Sequence, residues 1–191
     1  MVKAMGMKRH HDVQAPKKGG LTISRMFDAP RDLVWKAVTT PELVRRWWGP
    51  KGFTAPVIKI DLRVGGKYLY AMRSPEGRDY WSTGVFRKII PPGGIILEDS
   101  FSDAEGNVVP ASHYGMVGDW PLAMQVTMTF GEKEGRTKLT LLYNGTPPDE
   151  MIGNMTQGWN ESLDKLAGVL EEEKSRRTKT ALVAESENKS S

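Results

Sequence analysis

The chain has 191 residues, a formal net charge of +4 and no cysteine. Its length suits one domain with a sizeable core. The lack of cysteine excludes disulfides, thiolate metal sites and a cysteine nucleophile, and it is typical of a protein from the reducing cytoplasm. There is no run of roughly 18 apolar residues, so the sequence predicts no membrane span.

The basic charge is concentrated at the two ends of the chain. Residues 1–18 hold five Lys/Arg and one Asp, and residues 174–191 hold five Lys/Arg and two Glu, which leaves residues 19–173 mildly acidic. Neither end has hydrophobic periodicity, so we expect disordered tails at 1–18 and 174–191 around one domain at 19–173. A basic and aromatic face is not evident, and no specific nucleic-acid partner is expected.

The first elements are a strand and two short helices. Alternating hydrophobic residues predict a strand over 21–28, and apolar residues at helical spacing then predict two helices. The second helix stops at residues 49–50, directly after Trp47 and Trp48. Two neighbouring side chains cannot share one helix face, so we expect Trp47, which continues the apolar stripe, to be the buried one.

Residues 55–144 have the pattern of six further strands. Gly- and Pro-rich turns separate most of them, and the links are too short for parallel crossovers, so the strands should be antiparallel. One long segment without a period, residues 102–121, interrupts this series.

The last element is a long amphipathic helix. Its apolar residues recur at mostly four-residue steps, namely Met151, Met155, Trp159, Leu163, Leu166 and Leu170. A helix of about 24 residues is about 36 Å long. It is the only predicted element large enough to cover a seven-stranded sheet. The sequence therefore predicts an α+β fold, in which a curved antiparallel sheet wraps around this helix.

Several segments of the chain resemble a known family. The segments "DAPRDLVWKAVTTPELVRRWWGP", "GGKYLYAMRSPEG", "GVFRKIIPP", "TKLTLLYNG" and "GWNESLDKLAGVLEE" are similar to the activator of heat-shock protein 90 ATPase homologue family, C-terminal-domain type. That family belongs to the START-like, helix-grip superfamily. The resemblance covers about residues 20–173 in one register and implies a helix-grip fold with a cavity between the sheet and the long helix.

Strand alternation selects the side chains that should face this cavity. The register that keeps Lys67 and Arg73 in water turns the intervening tyrosines inward. The predicted cavity residues are Tyr68, Tyr70, Met72, Phe86, Met124, Val126, Met128, Phe130, Met155, Trp159 and Leu163. The mouth should carry Trp48 and Phe53, with "GPKGF" as a flexible lip.

The predicted wall is rich in tyrosine and methionine, which suits an apolar ligand held by a few polar contacts in a pocket of roughly 300 to 1,000 Å³. We therefore expect a protein that binds or carries a small hydrophobic molecule, without a metal or another cofactor. We expect a monomer or a weak homodimer.

Two other functions are compatible with the sequence. The first is a cyclase- or hydrolase-type enzyme that uses the same cavity, with His113, Asp99 or Tyr70 as candidate catalytic residues. Glu98 and Asp99 are neighbours in a strand and point to opposite faces, so at most one can reach the cavity.

The second alternative is a stress-related co-chaperone that acts on the heat-shock protein 90 ATPase. The namesake of the family resembles a two-domain protein whose N-terminal domain docks on the chaperone. Only eighteen polar residues precede the first predicted strand here, so we expect ligand binding ahead of this function.

Overall fold

The computed structural model describes residues 20–145 and 147–188, with side chains as far as residue 184. Its main feature is one curled, seven-stranded sheet in which all neighbouring strands are antiparallel, in the order β1-β7-β6-β5-β4-β3-β2. The strands are β1 (Leu21–Phe27), β2 (Thr54–Ile60), β3 (Lys67–Arg73), β4 (Asp79–Ile90), β5 (Gly94–Ser102), β6 (Met124–Lys133) and β7 (Arg136–Asn144).

Two short helices, α1 (Arg31–Thr39) and α2 (Pro41–Trp47), connect β1 to β2. Each buries one apolar stripe, and Trp47 at the end of α2 is only 2% exposed. The indole Nε1 of Trp47 donates a hydrogen bond to the carbonyl oxygen of Ala37 at 2.9 Å, which satisfies its one polar atom. The predicted burial of Trp47 is therefore confirmed.

The long helix α3 runs from Asp149 to Asn188 and lies against α1, α2 and β1. Its buried side chains are confined to the middle of the helix and comprise Ser162, Leu163, Leu166, Val169 and Leu170. The burial of the four apolar side chains in this set offsets the low helix propensity of Gly153, Gly158 and Gly168. The predicted α+β architecture, a curved sheet with a long C-terminal helix and two short helices after the first strand, is confirmed.

The C-terminal part of the chain differs from the prediction. A disordered tail was expected from residue 174, whereas α3 continues to Asn188. The extension contacts the body through charged rather than apolar side chains. Lys174 Nζ lies 3.0 Å from a carboxylate oxygen of Asp28, and Arg177 Nη1 lies 2.9 Å from one of Asp32. The predicted tail at residues 1–18 lies outside the described residues.

No helix in the described part of the chain is long and apolar enough to cross a membrane. This agrees with the absence of a predicted span.

Candidate functional site

A cavity lies inside the curled sheet and is closed by α1, α2 and α3. Its free volume is about 40 Å³. The lining residues come from both short helices, six of the strands and their connections, and α3. They are Val38, Thr39, Val44, Trp47, Trp48, Ile60, Leu62, Tyr68, Tyr70, Phe86, Ile95, Leu97, Asp99, Val126, Met128, Tyr143 and Trp159.

The cavity approaches the surface between the end of α1 and the end of β2. Leu62 is 37% exposed, and Thr39 and Ile60 are half-buried, whereas the lining residues on the central strands are mostly buried. A ligand would therefore enter most directly beside these three residues.

Among the described residues that line the cavity, Asp99 is the only charged one. Its carboxylate accepts a short hydrogen bond from the Tyr68 hydroxyl and another from the backbone N–H of Ser100. Burial raises the pKa of Asp99 to about 6, and these two hydrogen bonds oppose that rise. The neighbouring Glu98 lies on the outer face of the sheet, where its carboxylate oxygen Oε2 is 2.5 Å from Nη2 of Arg87. Strand alternation therefore separates the two carboxylates, as predicted.

Two further tyrosines bring hydroxyl groups to this part of the cavity. Tyr143 accepts a hydrogen bond from the indole Nε1 of Trp159 at 3.0 Å. Tyr70 makes no hydrogen bond through its hydroxyl to any other residue described in 20–145 or 147–184, although only 8% of the residue is exposed. Burial is the main cause that raises the pKa of both hydroxyls, so both are neutral hydrogen-bond donors near pH 7.

The aromatic rings of the cavity contact one another, and the Trp48 ring packs edge to face against its neighbours. The ring centroid of Trp48 lies 4.9 Å from that of Tyr70 and 5.5 Å from that of Trp159. The Tyr68 ring lies 4.6 Å from Tyr70. It also packs directly against Gly84, its cross-strand partner on β4, where a Cβ atom would overlap the ring. A Cβ atom there would also overlap the backbone carbonyl oxygen of Glu98, so the β5 backbone and the Tyr68 ring both require glycine at this position.

Seven of the residues predicted for the cavity or its mouth lie in its wall. They are Trp48, Tyr68, Tyr70, Phe86, Val126, Met128 and Trp159. The other six, Phe53, Met72, Met124, Phe130, Met155 and Leu163, lie outside it. Leu163, for example, is 1% exposed and belongs to the core beneath α3. The ring centroid of Phe130 lies 5.3 Å from that of Trp35.

The catalytic candidates are not all brought together. Asp99 and Tyr70 both line the cavity, but His113 is exposed in the short 3₁₀ helix Ala111–Tyr114, where its ring contacts Tyr114. It does not line the cavity.

Sequence reasoning missed several lining residues. Tyr143 had a usable signal, because Leu139, Leu141 and Tyr143 alternate along β7 and all are buried. Val38 and Val44 carried no such signal, since a residue on the apolar stripe of a helix is equally suited to core or cavity. The remaining missed residues are Thr39, Trp47, Ile60, Leu62, Ile95 and Leu97.

The segment after α2, which was predicted to be a flexible lip, is hydrogen-bonded to Lys165 of α3. Lys165 Nζ donates hydrogen bonds to the carbonyl oxygens of Gly49 at 2.9 Å and Phe53 at 3.1 Å, with longer contacts to Trp48 and Pro50. These carbonyl oxygens belong to the C-cap residue Trp48 and to the turn that follows α2. Partial burial lowers the pKa of Lys165.

No group of side chains in the described residues has the composition and spacing of a metal site.

A curled antiparallel sheet closed by a long C-terminal helix over an apolar cavity defines a START-like, helix-grip protein. Over residues 28–171 the chain matches the family described as "Activator of Hsp90 ATPase homolog 1-like protein", and it belongs to that family. No curated protein matches the chain.

Solved structures of bacterial proteins share the fold. A protein of Nitrosomonas europaea is 24% identical, with a TM-score of 0.67 over 82% of this chain and 96% of that one. A protein of Chromobacterium violaceum is 26% identical, with a TM-score of 0.67 over 81% and 99% of the two chains. The AHSA1 protein of Silicibacter pomeroyi is 24% identical, with a TM-score of 0.64 over 81% and 99%. These similarities carry the fold and not an activity.

Proposed function

We propose that this protein binds a small, largely apolar molecule in the cavity between the sheet and α3. The observation that carries the proposal is a cavity with a largely apolar and aromatic wall, into which Tyr70 brings a hydroxyl that makes no hydrogen bond to any other described residue. A ligand inside the cavity can accept a hydrogen bond from this hydroxyl while its apolar part contacts the aromatic wall.

The free volume of about 40 Å³ is smaller than the pocket predicted from the sequence, because the aromatic side chains occupy most of the interior. It accommodates a small polar group or a few water molecules, whereas a drug-sized ligand needs roughly 300 Å³ or more. Binding therefore requires side chains or part of a helix to move outward.

The first part of α3 is suited to this movement. Residues 149–161 of the helix include no fully buried residue, whereas the segment from Ser162 to Leu170 holds all of its buried side chains. Trp159, which lines the cavity, lies in the weakly packed part. A small displacement of this part enlarges the cavity while the buried leucines keep the helix attached.

The proposal is tested with the neutral fluorescent probe N-phenyl-1-naphthylamine. Its emission should rise on addition of the protein. Val38→Phe places a ring in the cavity beside its opening, and should weaken probe binding at least tenfold. Val108→Phe is the matched control, because Val108 is 53% exposed and lies outside the lining, so binding should not change. If Val38→Phe and Val108→Phe both fold and bind the probe with equal affinity, binding in this cavity is refuted.

The half-buried carboxylate in the cavity wall favours a second candidate, an enzyme that transfers a proton at Asp99. A carboxylate with a pKa near 6 in an apolar site is a competent general base near neutral pH. The flat substrate 5-nitrobenzisoxazole, which opens when a base removes one proton, tests for this property. We expect a rate that rises with pH through about 6, disappears in Asp99→Asn and persists in Glu98→Gln. A rate unaffected by Asp99→Asn would reject this candidate.

The co-chaperone alternative is supported by the description of the family and by no particular contact in this structure. It stays a prediction, as do the cytoplasmic location, the monomeric or weakly dimeric state and the domain limits.

A further inference from the structure

The carboxylate of Asp99 has no cationic partner among the described residues. The lining of the cavity includes no Lys, Arg or His, and the polar contacts of Asp99 are the Tyr68 hydroxyl and the backbone N–H of Ser100. Enclosed carboxylates in proteins are usually paired with a cation or a metal ion. When Asp99 is ionised, the cavity therefore holds a negative charge that no described side chain pairs with.

The groups around Asp99 are aromatic. Tyr68 and Tyr70 on β3, Tyr143 on β7 and Trp159 on α3 line the same cavity, and Trp48 contacts both Tyr70 and Trp159. The face of an aromatic ring carries partial negative charge and attracts cations, most strongly for tryptophan. Rings of this kind around a carboxylate favour a cation more than a neutral or an anionic group.

We propose that the ligand carries a positively charged amine on its apolar body, and that this amine pairs with Asp99 among the surrounding aromatic rings. The inference rests on the proposed binding function and names the chemical class of the ligand. A neutral ligand can satisfy the Tyr70 hydroxyl but leaves the charge of Asp99 unpaired. The free volume of about 40 Å³ suits a small ammonium group beside the carboxylate, with the apolar body extending toward Leu62.

The pH dependence of binding follows from the groups that face Asp99. The pKa values of Tyr68, Tyr70 and Tyr143 are raised, chiefly by burial, so these hydroxyls stay neutral between pH 5 and 8. The cross-strand neighbours of Asp99, Gly84 on β4 and Met124 on β6, do not titrate. Asp99, whose pKa burial raises to about 6, is thus the one group facing the site that changes charge in this interval. An ammonium ligand should bind about tenfold more weakly at pH 5 than at pH 7.5, because only about a tenth of Asp99 is ionised at pH 5.

The test compares 2-phenylethylamine with 2-phenylethanol, which has the same number of heavy atoms and no charge. Each is titrated against protein loaded with N-phenyl-1-naphthylamine at pH 5 and pH 7.5. We expect the amine to displace the probe at least tenfold more effectively than the alcohol at pH 7.5, and most of this preference to disappear at pH 5.

Two variants separate the charge of the site from the charge of the surface. Asp99→Asn keeps the shape of the side chain and should abolish the preference for the amine. Glu98→Gln removes the adjacent carboxylate on the outer face and should leave it unchanged. If Asp99→Asn fails to fold, the test is the loss of the preference for the amine between pH 7.5 and pH 5 in the unaltered protein.

Two results would overturn the inference in distinguishable ways. If the probe binds and the alcohol displaces it as well as the amine does, the cationic ligand is excluded while the proposed binding function stands. If neither the probe nor either compound binds, the proposed function fails and the inference fails with it.

Discussion

At the scale of single residues, Asp99 defines the chemistry of the cavity. Its contacts place one ionisable group among aromatic side chains, and its neighbour Glu98 is directed to solvent by the pleat of the strand. Burial disfavours the charged form of Asp99, so ionisation of this group reduces the stability of the folded protein.

This cost predicts a pH-dependent effect of Asp99→Asn on stability. Burial raises the folded-state pKa of Asp99 from 3.8 to about 6, so the folded state retains its proton to higher pH than the unfolded state does. The folded protein is thus relatively stabilised at low pH and loses this stabilisation as pH rises through about 6. The free energy of unfolding of Asp99→Asn, relative to the unaltered protein, should rise by about 2 kcal/mol between pH 4.5 and 7.5.

Urea denaturation at several pH values measures this difference. Glu98→Gln is the control, because Arg87 lowers the pKa of Glu98 and the relative stability of that variant should change in the opposite direction. A relative stability of Asp99→Asn that does not depend on pH would contradict the account of Asp99.

Alternation of side chains along a strand predicted correctly which residues share a face. It did not predict which of the two faces of the strand points into the cavity. Alternation separated Glu98 from Asp99, but it could not decide which one faces inward. The decision comes from the pairing of β5 with its neighbours, which places Asp99 opposite Gly84 and Met124. Contacts of that kind join residues far apart in the chain.

At the scale of elements, α3 consists of a weakly packed first part and a firmly packed middle. Buried side chains begin at Ser162 and end at Leu170, and Trp159 precedes them. Local stability follows burial, so the two parts of the helix should open with different free energies.

Hydrogen exchange tests this difference along α3. Backbone amides of residues 153–160 should exchange at least tenfold faster than those of 163–170. N-phenyl-1-naphthylamine should slow exchange in the first segment and leave the second unchanged. Equal rates in both segments without ligand would mean that α3 opens as one unit, and would remove the support for enlargement of the cavity by displacement of its first part.

The apolar stripe predicted the position of α3 but not its end. Periodic hydrophobic residues stop at Leu170, and residues 171–180 are all polar or charged. The helix nevertheless continues, and in this extension Lys174 and Arg177 form ion pairs with Asp28 and Asp32 on the body. Hydrophobic periodicity carries no information about such ion pairs, so the sequence was interpreted as a tail.

At the scale of the whole molecule, the order of elements was predictable, while the size of the cavity was not. The strands, turns and helices follow from local patterns, and their antiparallel arrangement follows from short links. The free volume depends instead on how side chains from helices and strands fill one interior. In this structure the rings of Trp48, Tyr70 and Trp159 occupy space that the sequence had assigned to a ligand.

Methionine-methyl NMR during titration with N-phenyl-1-naphthylamine tests the central claim most directly. Met128 lines the cavity, whereas Met26 on β1 is 45% exposed and lies outside the lining. Ligand binding in the cavity predicts a saturable shift of the Met128 methyl signal, with the Met26 signal unchanged. A Met128 signal that does not move, or a shift confined to Met26, would contradict binding of an apolar molecule between the sheet and α3.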